Sequence, residues 1–263
     1  MMKDRILLFI PAYNCEKQII RVLGQLDREV LRYIGHVLVV NNRSTDQTEE
    51  VVKSFMERHS DIPLTLLRNK ENYGLGGSHK VAFQYAIDRG YDYVIVLHGD
   101  DQGMLTDFMP VLSHHTYRKH DAVLGARFMR ESRLKGYSRF RTFGNIVYDF
   151  LFAFIVRKKI YDLGSGLNMY RVESLKSEYY MKFPDNLMFN YCMILASEFY
   201  AQDICFFPIS WREDDQVSNV KMMNQAVTVL KMLFAYYRNP AVILEDYREK
   251  KIESYGAEVI SVE

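Results

Sequence analysis

The residues best suited to bind a metal ion lie directly after a short apolar run. The segment Val94–Gln102 has the sequence VIVLHGDDQ. In an extended chain alternate side chains point the same way, so His98, Asp100 and Gln102 share one side. An imidazole, a carboxylate and an amide oxygen suit Mg²⁺ or Mn²⁺, and the imidazole favours Mn²⁺. The alternative is a polar turn in which Asp100 and Asp101 cap the next helix.

The elements that must position these side chains are short apolar strands alternating with helices. Strands are predicted at Arg5–Ile10, His36–Val40, Leu64–Leu67, Tyr93–Leu97 and Asp121–Gly125. Helices are predicted at Glu49–Arg58 and His79–Arg89, with a loop formed by the glycines at 74, 76 and 77. This alternation predicts an α/β fold with a mostly parallel sheet, whose loops gather at one edge.

Polar clusters follow the ends of several of these strands. They are Tyr13-Asn14, Asn41-Asn42, 72–77 and 98–102, and Asn14 is also predicted to cap the first helix. Since ligands bind at the carboxyl edge of open α/β sheets, these distant clusters are expected to form one cleft.

The order and spacing of these segments resemble a known family. The matching segments are Ile10–Asn14 (IPAYN), Val40–Asp46 (VNNRSTD), the glycine-rich loop with Asn72, Gly74 and Gly76, HGDDQ, Gly125–Arg127 (GAR) and Asp162–Arg171 (DLGSGLNMYR). Together they resemble family 2 of the inverting glycosyltransferases, within it the dolichyl-phosphate mannose synthase-like branch. The resemblance runs from about Ile6 to Lys221.

The resemblance implies a GT-A fold, with a Rossmann-like, mostly parallel central sheet flanked by helices. It implies a catalytic domain over residues 1–221, followed by a C-terminal helical appendage, 222–263, packed on that domain or on a membrane surface. The enzyme would be an inverting hexosyltransferase that takes its sugar from a UDP- or GDP-sugar.

The implied site residues fall into three sets. Donor-binding positions are Pro11, Ala12, Tyr13, Asn14, Asn41, Asn42, Asn72, Gly74 and Gly76. Metal ligands are His98, Asp100 and Gln102, for Mn²⁺ or Mg²⁺. Catalytic positions are Asp100, Asp101, Arg127 and Arg212.

Two departures from the family pattern bear on donor and metal. Asn41 and Asn42 stand where the family usually has an aspartate that recognises the base of the donor. An amide can both accept and donate a hydrogen bond, so the base can be either uracil or guanine. His98 stands where the family usually has an aspartate, and this change should weaken the binding of Mg²⁺ more than that of Mn²⁺. It also leaves open catalysis without a metal.

The acceptor is predicted from what the second half of the chain offers. Phe189-Asn190 occupies the place of an expected acidic base, and an anionic polyprenyl phosphate would need no base. Guanidinium groups at Arg127 and Arg212 are suited to bind phosphate. Arg212, Ser218 and Lys221 also resemble the R-x-x-G-x-S-K loop of the family, in a longer and more acidic form. The alternative is a saccharide hydroxyl in polysaccharide or cell-surface glycan synthesis, with Asp185, Asp214 or Asp215 as base.

Two apolar stretches, Phe143–Val156 and Val227–Tyr237, fit either a lipid-facing surface or core packing. Asp149 interrupts the first, which is too short for the roughly 20 residues of a membrane span. We therefore expect a cytoplasmic protein, with peripheral association at the inner face of the membrane as an option.

Composition narrows the remaining classes. The formal net charge of +1 in 263 residues gives no overall positive electrostatic field that would attract nucleic acid. Three widely spaced cysteines, Cys15, Cys192 and Cys205, fit a reducing compartment. A nucleotidyltransferase would need a basic glycine-rich loop after the first strand, which IPAYNCEK lacks, whereas a noncatalytic sugar-nucleotide binder stays open because of His98 and the two asparagines.

Overall fold

A central eight-stranded sheet organises the chain, with helices on both faces. The structure is a computed structural model that describes residues 3–213 and 222–261, without the side chains of 222–226. Its strands are β1 (Ile6–Ala12), β2 (His36–Asn41), β3 (Leu64–Asn69), β4 (Tyr93–Leu97), β5 (Ala122–Ala126), β7 (Leu167–Arg171), β8 (Ile204–Pro208) and β10 (Ala257–Ile260). They are arranged in the order β10-β3-β2-β1-β4-β7-β5-β8.

The five strands predicted from apolar runs are confirmed as β1 to β5, each within two residues of its expected limits. The sheet is mostly parallel, as expected. The exceptions are β7, which is antiparallel to β4 and β5, and β10, which is antiparallel to β3. A second, two-stranded sheet joins β6 (Arg133–Lys135) to β9 (Ser210–Arg212).

Helices cover the sheet in two layers, because side chains of each strand alternate between its faces. On β1, Leu7 and Phe9 face one cluster and Leu8 and Ile10 the other. One layer contains α1 (Glu16–Leu23), α2 (Thr48–Arg58) and α4 (Met109–Ser113). The other contains α3 (Gly74–Asp88), α5 (Arg139–Val156), α6 (Val172–Leu175), α7 (Met188–Phe199) and α8 (Met222–Arg238).

Two local predictions are wrong. Gly74, Gly76 and Gly77 are not a loop but the first turn of α3. Asn14 does not cap α1, whose N-cap is Cys15 without a side-chain cap; Asn14 instead has a left-handed backbone, φ 48°, and bonds the loop after β2.

The C-terminal segment returns to the sheet. Val229, Met232, Leu233 and Tyr236 of α8 are buried, and β10 then pairs with β3 in the register Val259 to Leu67. The expectation that the part beyond residue 221 is helical throughout is therefore wrong. Its last strand instead covers the edge of β3, whose backbone groups would otherwise stay unpaired. The domain boundary itself remains a prediction.

Candidate active site

The carboxyl ends of four parallel strands meet at one edge of the sheet. β1 and β2 are parallel neighbours, as are β1 and β4, and β5 runs in the same direction because both β4 and β5 are antiparallel to β7. The residues that follow these strands are Tyr13, Asn42, His98 and Arg127. The edge thus collects segments up to 114 positions apart in the sequence, from Tyr13 to Arg127.

The loops after β1 and β2 are interlocked. Asn14 Oδ1 accepts from the Thr45 backbone N–H at 2.8 Å, and Ser44 Oγ accepts from the Asn14 N–H at 3.1 Å. The Tyr13 side chain stays 50% exposed at this junction. An exposed aromatic ring held on a fixed loop is suited to stack on a nucleobase.

Pro11 and Ala12 contribute backbone atoms rather than side chains. Both are buried in β1. The Pro11 carbonyl accepts from Gly99 N–H at 3.0 Å, and the Ala12 carbonyl accepts from Asn42 N–H at 2.9 Å. These two bonds hold the segment 98–102 and the loop after β2 against the end of β1.

Asn41 and Asn42 are buried and already have side-chain partners. Asn41 Nδ2 donates to Glu49 Oε2 at 2.7 Å. Asn42 Oδ1 accepts from Asn69 Nδ2 and from Tyr73 N–H, each at 2.9 Å, while its Nδ2 donates to Asn72 Oδ1 at 2.8 Å. Base reading by either asparagine remains a prediction, and it requires some of these contacts to be exchanged for contacts with the base.

The glycines at the start of α3 allow close packing against residues 184–185. Gly74 has φ +71°, and a Cβ there would lie 2.4 Å from the Asp185 carbonyl oxygen. A Cβ on Gly76 would lie 2.4 Å from the Pro184 carbonyl oxygen. Both distances are far below van der Waals contact, so only glycine fits this approach.

Asp185 is held by the same packing. The buried Lys80 donates from Nζ to Asp185 Oδ1 at 2.7 Å and to the Phe183 carbonyl at 2.6 Å. The Tyr255 hydroxyl donates to the same Asp185 oxygen at 2.7 Å. This arrangement anchors the carboxylate and disfavours it as a base. The other two candidates, Asp214 and Asp215, lie outside the described residues, as do Ser218 and Lys221.

His98 occupies a tight position at the end of β4. Its backbone N–H donates to the Gly166 carbonyl at 3.1 Å, and a Cβ on Gly166 would lie 2.6 Å from the imidazole Nδ1. Burial, with a smaller effect of Arg127, lowers the pKa of His98 to about 4. The imidazole is therefore neutral near pH 7, and its buried Nε2 has no hydrogen-bond partner.

Asp100 supplies a carboxylate two positions after His98 in the sequence. Burial raises the pKa of Asp100 to about 6, opposed in part by hydrogen bonds that include the Gln102 N–H at 3.3 Å. A neutral imidazole, a carboxylate and the partly exposed Gln102 fit a divalent cation whose other ligands are water and phosphate oxygens. Within residues 3–213 and 222–261, no three His, Cys, Asp or Glu side chains form a complete metal cluster.

Asp101 is held by two arginines. Its backbone is left-handed, φ 61°, and its buried carboxylate accepts from Arg21 Nε at 2.5 Å and pairs with Arg212 Nη2. Arg212 Nε also donates to the Asp101 carbonyl at 2.8 Å. Asp101 therefore joins α1 to β9, and its predicted catalytic role has no geometric support of its own.

The capping alternative for the two aspartates is wrong. The next helix, a 3₁₀ turn at Leu105–Phe108, follows Met104 and has no side-chain cap. Its first N–H, that of Leu105, donates instead to Gln25 Oε1 at 2.7 Å.

Arg127 is paired bidentately with Asp162. Nε donates to Asp162 Oδ2 at 2.7 Å and Nη2 to Oδ1 at 2.8 Å, with a further bond from Nη2 to the Gly164 carbonyl at 3.2 Å. The rings of Tyr137 and Trp211 lie 5.6 and 5.0 Å from the guanidinium carbon. Arg127 is therefore a fixed positive group at the site, with part of its hydrogen-bonding capacity committed.

Asp149 is the residue that sequence reasoning missed. In the sequence it only interrupts an apolar stretch, yet in the fold it is 5% exposed and its Oδ1 has no hydrogen-bond partner. Burial, with the added repulsion of Asp162, raises the pKa of Asp149 to about 8, while Arg127 lowers it. The available signal was the isolation of one acid inside an apolar helix, since a buried charge needs a compensating reason.

Asn190, at the place expected for a base, has a buried Oδ1 without a partner. Its Nδ2 lies beside Gly164, 3.2 Å from where a glycine Cβ would stand. Because Arg127 bonds the Gly164 carbonyl, Asn190 and Arg127 approach the same turn from two sides.

The sequence of this chain is similar to those of known proteins. Residues 8–178 match the family described as Glycosyl transferase family 2. The UDP-N-acetylglucosamine–dolichyl-phosphate N-acetylglucosaminyltransferase of Methanococcus voltae is 23% identical over 186 residues, covering 66% of this chain and 73% of the relative. The undecaprenyl-phosphate mannosyltransferase of Micrococcus luteus is 24% identical over 173 residues, covering 66% and 69%.

A solved structure has the same fold. The mannosyltransferase from Pyrobaculum calidifontis, in complex with GDP-Man and Mn²⁺, superposes with a TM-score of 0.61 at 19% identity, covering 93% of this chain and 69% of that one.

Proposed function

This chain belongs to glycosyl transferase family 2, and we propose that it transfers a sugar from a nucleotide-sugar to a polyprenyl phosphate at the cytoplasmic face of a membrane. The observation that carries the proposal is the meeting of Tyr13, His98, Asp100 and Arg127 at one edge of the sheet. An aromatic ring, two metal-binding side chains and a fixed positive charge are what a nucleoside diphosphate sugar requires.

Donor binding divides between the two halves of this edge. Tyr13 stacks on the base, and the loops after β1 and β2 form the wall beside it. His98, Asp100 and Gln102 would hold a divalent cation, Mn²⁺ in preference to Mg²⁺ because of the imidazole. Such a cation neutralises charge on the diphosphate and makes it a better leaving group.

Transfer exchanges one bond at the anomeric carbon for another. The bond between sugar C1 and the diphosphate oxygen breaks, and the diphosphate leaves with the electron pair. An acceptor oxygen forms the new bond from the opposite side, so that the configuration at C1 inverts. A phosphate oxygen is already anionic and releases no proton in this step.

Arg127 supports the choice of an anionic acceptor. The Asp162 carboxylate fixes the orientation of its guanidinium through two bonds of 2.7 and 2.8 Å. A preorganised positive group stabilises an incoming phosphate without the cost of rearrangement. The two relatives above are named for dolichyl phosphate and undecaprenyl phosphate, which supports the same acceptor class here.

Asp149 favours a second candidate, transfer to a saccharide hydroxyl. A hydroxyl must lose its proton during transfer, and a group with pKa near the working pH is the most effective base. Burial brings the pKa of Asp149 to about 8, and the residue senses the charges of both Asp162 and Arg127. Loss of saccharide transfer in Asp149→Asn with donor binding retained would favour this candidate.

Thermal unfolding with a panel of donors tests the donor half of the proposal. UDP-, GDP-, CMP- and dTDP-sugars are compared with and without Mn²⁺. A ligand at 100 times its Kd adds about 2.7 kcal/mol of stability, which raises Tm by several degrees. We expect a UDP- or GDP-sugar with Mn²⁺ to give this shift, and Asp100→Ala to lose the increment due to Mn²⁺.

The exposed residue Arg32 provides a matched control, because Arg32→Ala should respond like the wild type. The absence of a shift with every donor, or an unchanged Mn²⁺ increment in Asp100→Ala, would exclude the proposed donor site. The acceptor half is tested separately, by comparing transfer to polyprenyl phosphate with transfer to oligosaccharides.

A further inference from the structure

Helix α5 has a continuous stripe of apolar side chains that are exposed to solvent. Phe140, Phe143, Val147, Phe150 and Phe154 follow one another at intervals of three and four residues and are 41–78% exposed. The same helix buries Phe152 and Val156 on its other side. Because its core face is already packed, the exposed stripe is a second apolar face and not a poorly formed part of the core.

Helix α8 repeats the pattern next to it. Val227, Leu230, Phe234 and Tyr237, again at intervals of three and four, are 44–63% exposed. The two helices contact each other. Contiguous exposed apolar surface of this kind marks an interaction site in a soluble fold.

The charged residues within these two helices and in the turn after α5 are mainly basic, and two of them, Arg141 and Lys158, pair with Glu213 and Glu198. Between residues 139 and 159 the basic residues are Arg139, Arg141, Arg157, Lys158 and Lys159, and the only acid is the buried Asp149. The sequence of α8 contains Lys231 and Arg238 and neither Asp nor Glu. The formal charge of the whole chain is +1, so this excess of basic residues is local.

We propose that the exposed stripes of α5 and α8 form a docking face for the surface of an anionic lipid bilayer. Phenylalanine-rich faces edged by Lys and Arg insert shallowly between headgroups and attract acidic lipids. Within the described residues no helix is long and apolar enough to cross a membrane.

Charge disfavours a second copy of the chain as the occupant. In a twofold dimer the same face meets itself, which would bring the basic groups of both copies together. An anionic surface has the opposite sign.

This face also lies close to the candidate site. Asp149, on the buried side of α5, senses the charges of Arg127 and Asp162. A helix with its side chains is about 10 Å across, so the bilayer surface would lie roughly one helix diameter from this charged cluster.

Vesicle sedimentation tests the proposal without any donor or acceptor, which separates it from the proposed function. Vesicles of phosphatidylcholine are compared with vesicles of equimolar phosphatidylcholine and phosphatidylglycerol. The wild type should bind the anionic vesicles about tenfold more strongly, and salt should weaken that preference.

Two sets of variants separate the apolar from the charged contribution. Phe143→Ser, Phe150→Ser and Phe154→Ser combined should reduce binding about tenfold or more. Lys231→Glu with Arg238→Glu should remove most of the preference for anionic vesicles while leaving the stripes intact. Val259→Ser and Arg32→Glu, exposed positions elsewhere, should bind like the wild type.

Equal binding by the wild type and both sets of variants would overturn the proposal. So would a dimer in solution that the three serine substitutions dissociate, because the occupant would then be a second copy. If the serine variant fails to fold, the charge-reversed variant still decides the matter.

Discussion

Asp100 and Asp101 are adjacent in sequence but have different surroundings. Burial raises the pKa of Asp100 to about 6, and we propose its carboxylate as a ligand of the cation together with His98. Asp101 is turned by its left-handed backbone toward Arg21 and Arg212. In the proposed function Asp100 holds the cation, whereas Asp101 joins α1 to β9.

Alanine at these two positions should therefore have opposite effects. Asp100→Ala should abolish transfer and leave Tm nearly unchanged. Asp101→Ala should lower stability by about 2 kcal/mol, because two arginines lose a buried partner, and should reduce activity only in proportion to the folded fraction. Urea unfolding and donor turnover on the same preparations measure both. Near-normal turnover of Asp100→Ala at saturating donor would contradict the metal assignment.

The imidazole at position 98 leads to a second prediction at the residue scale. Turnover should be faster with Mn²⁺ than with Mg²⁺, and His98→Asp should narrow the difference by restoring an all-oxygen ligand set. Pulsed electron paramagnetic resonance of bound Mn²⁺ should detect a coupled nitrogen in the wild type, absent in His98→Asp. Full activity in EDTA would exclude His98 as a catalytic metal ligand.

At the scale of elements, the start of α3 shows where sequence patterns mislead. Three glycines within four residues are typical of a loop, but here they begin a helix whose backbone touches residues 184–185. The contact joins positions more than 100 residues apart, which no local pattern contains. The strands were predictable for the opposite reason, because burial on both faces makes each of them a short continuous apolar run.

Two glycine substitutions separate close packing from helix propensity. Gly76→Ala should destabilise the fold by about 2 kcal/mol, since its Cβ would lie 2.4 Å from the Pro184 carbonyl oxygen. Gly144→Ala, in α5 with nothing within 4 Å, should stabilise by about 0.5–1 kcal/mol. Chemical denaturation measures both. A stabilised Gly76→Ala variant would show that this packing is less tight than described.

Helix α5 is built around a buried acid, which should make stability depend on pH. The pKa of Asp149 is raised to about 8 in the folded protein, above its ordinary value near 4. The protonated Asp149 carboxyl makes its full contribution to the free energy of unfolding below about pH 4, and this contribution is lost as the pH rises toward about 8. Asp149→Asn removes the titration and should stabilise the protein by on the order of 2 kcal/mol near pH 7.

Denaturation at about pH 5 and about pH 8 measures this difference, which should grow with pH. Asp61→Asn, at an exposed turn, serves as the control. A difference between Asp149→Asn and wild type that stays constant with pH would mean that Asp149 is not protonated in the fold.

At the scale of the whole molecule, topology accounts for most of what sequence patterns predicted. The GT-A fold expected from ordered motifs is the one found, and the sheet brings Tyr13, Asn42, His98 and Arg127 to a common edge. What the motifs lacked was side-chain direction. They could not indicate that Asn42 bonds Asn72, that Asp101 faces Arg21, or that Asp149 approaches Arg127 from a helix outside every motif.

The choice of acceptor distinguishes transfer to a polyprenyl phosphate from transfer to a saccharide hydroxyl. With one radiolabelled nucleotide-sugar and Mn²⁺, the initial rates of transfer to a polyprenyl phosphate and to soluble oligosaccharides are compared for the wild type and Asp149→Asn. We expect label in the lipid fraction and little or none in the saccharides. Transfer to the lipid should survive Asp149→Asn, because a phosphate needs no base. Label in the saccharides alone, lost in Asp149→Asn, would contradict this expectation.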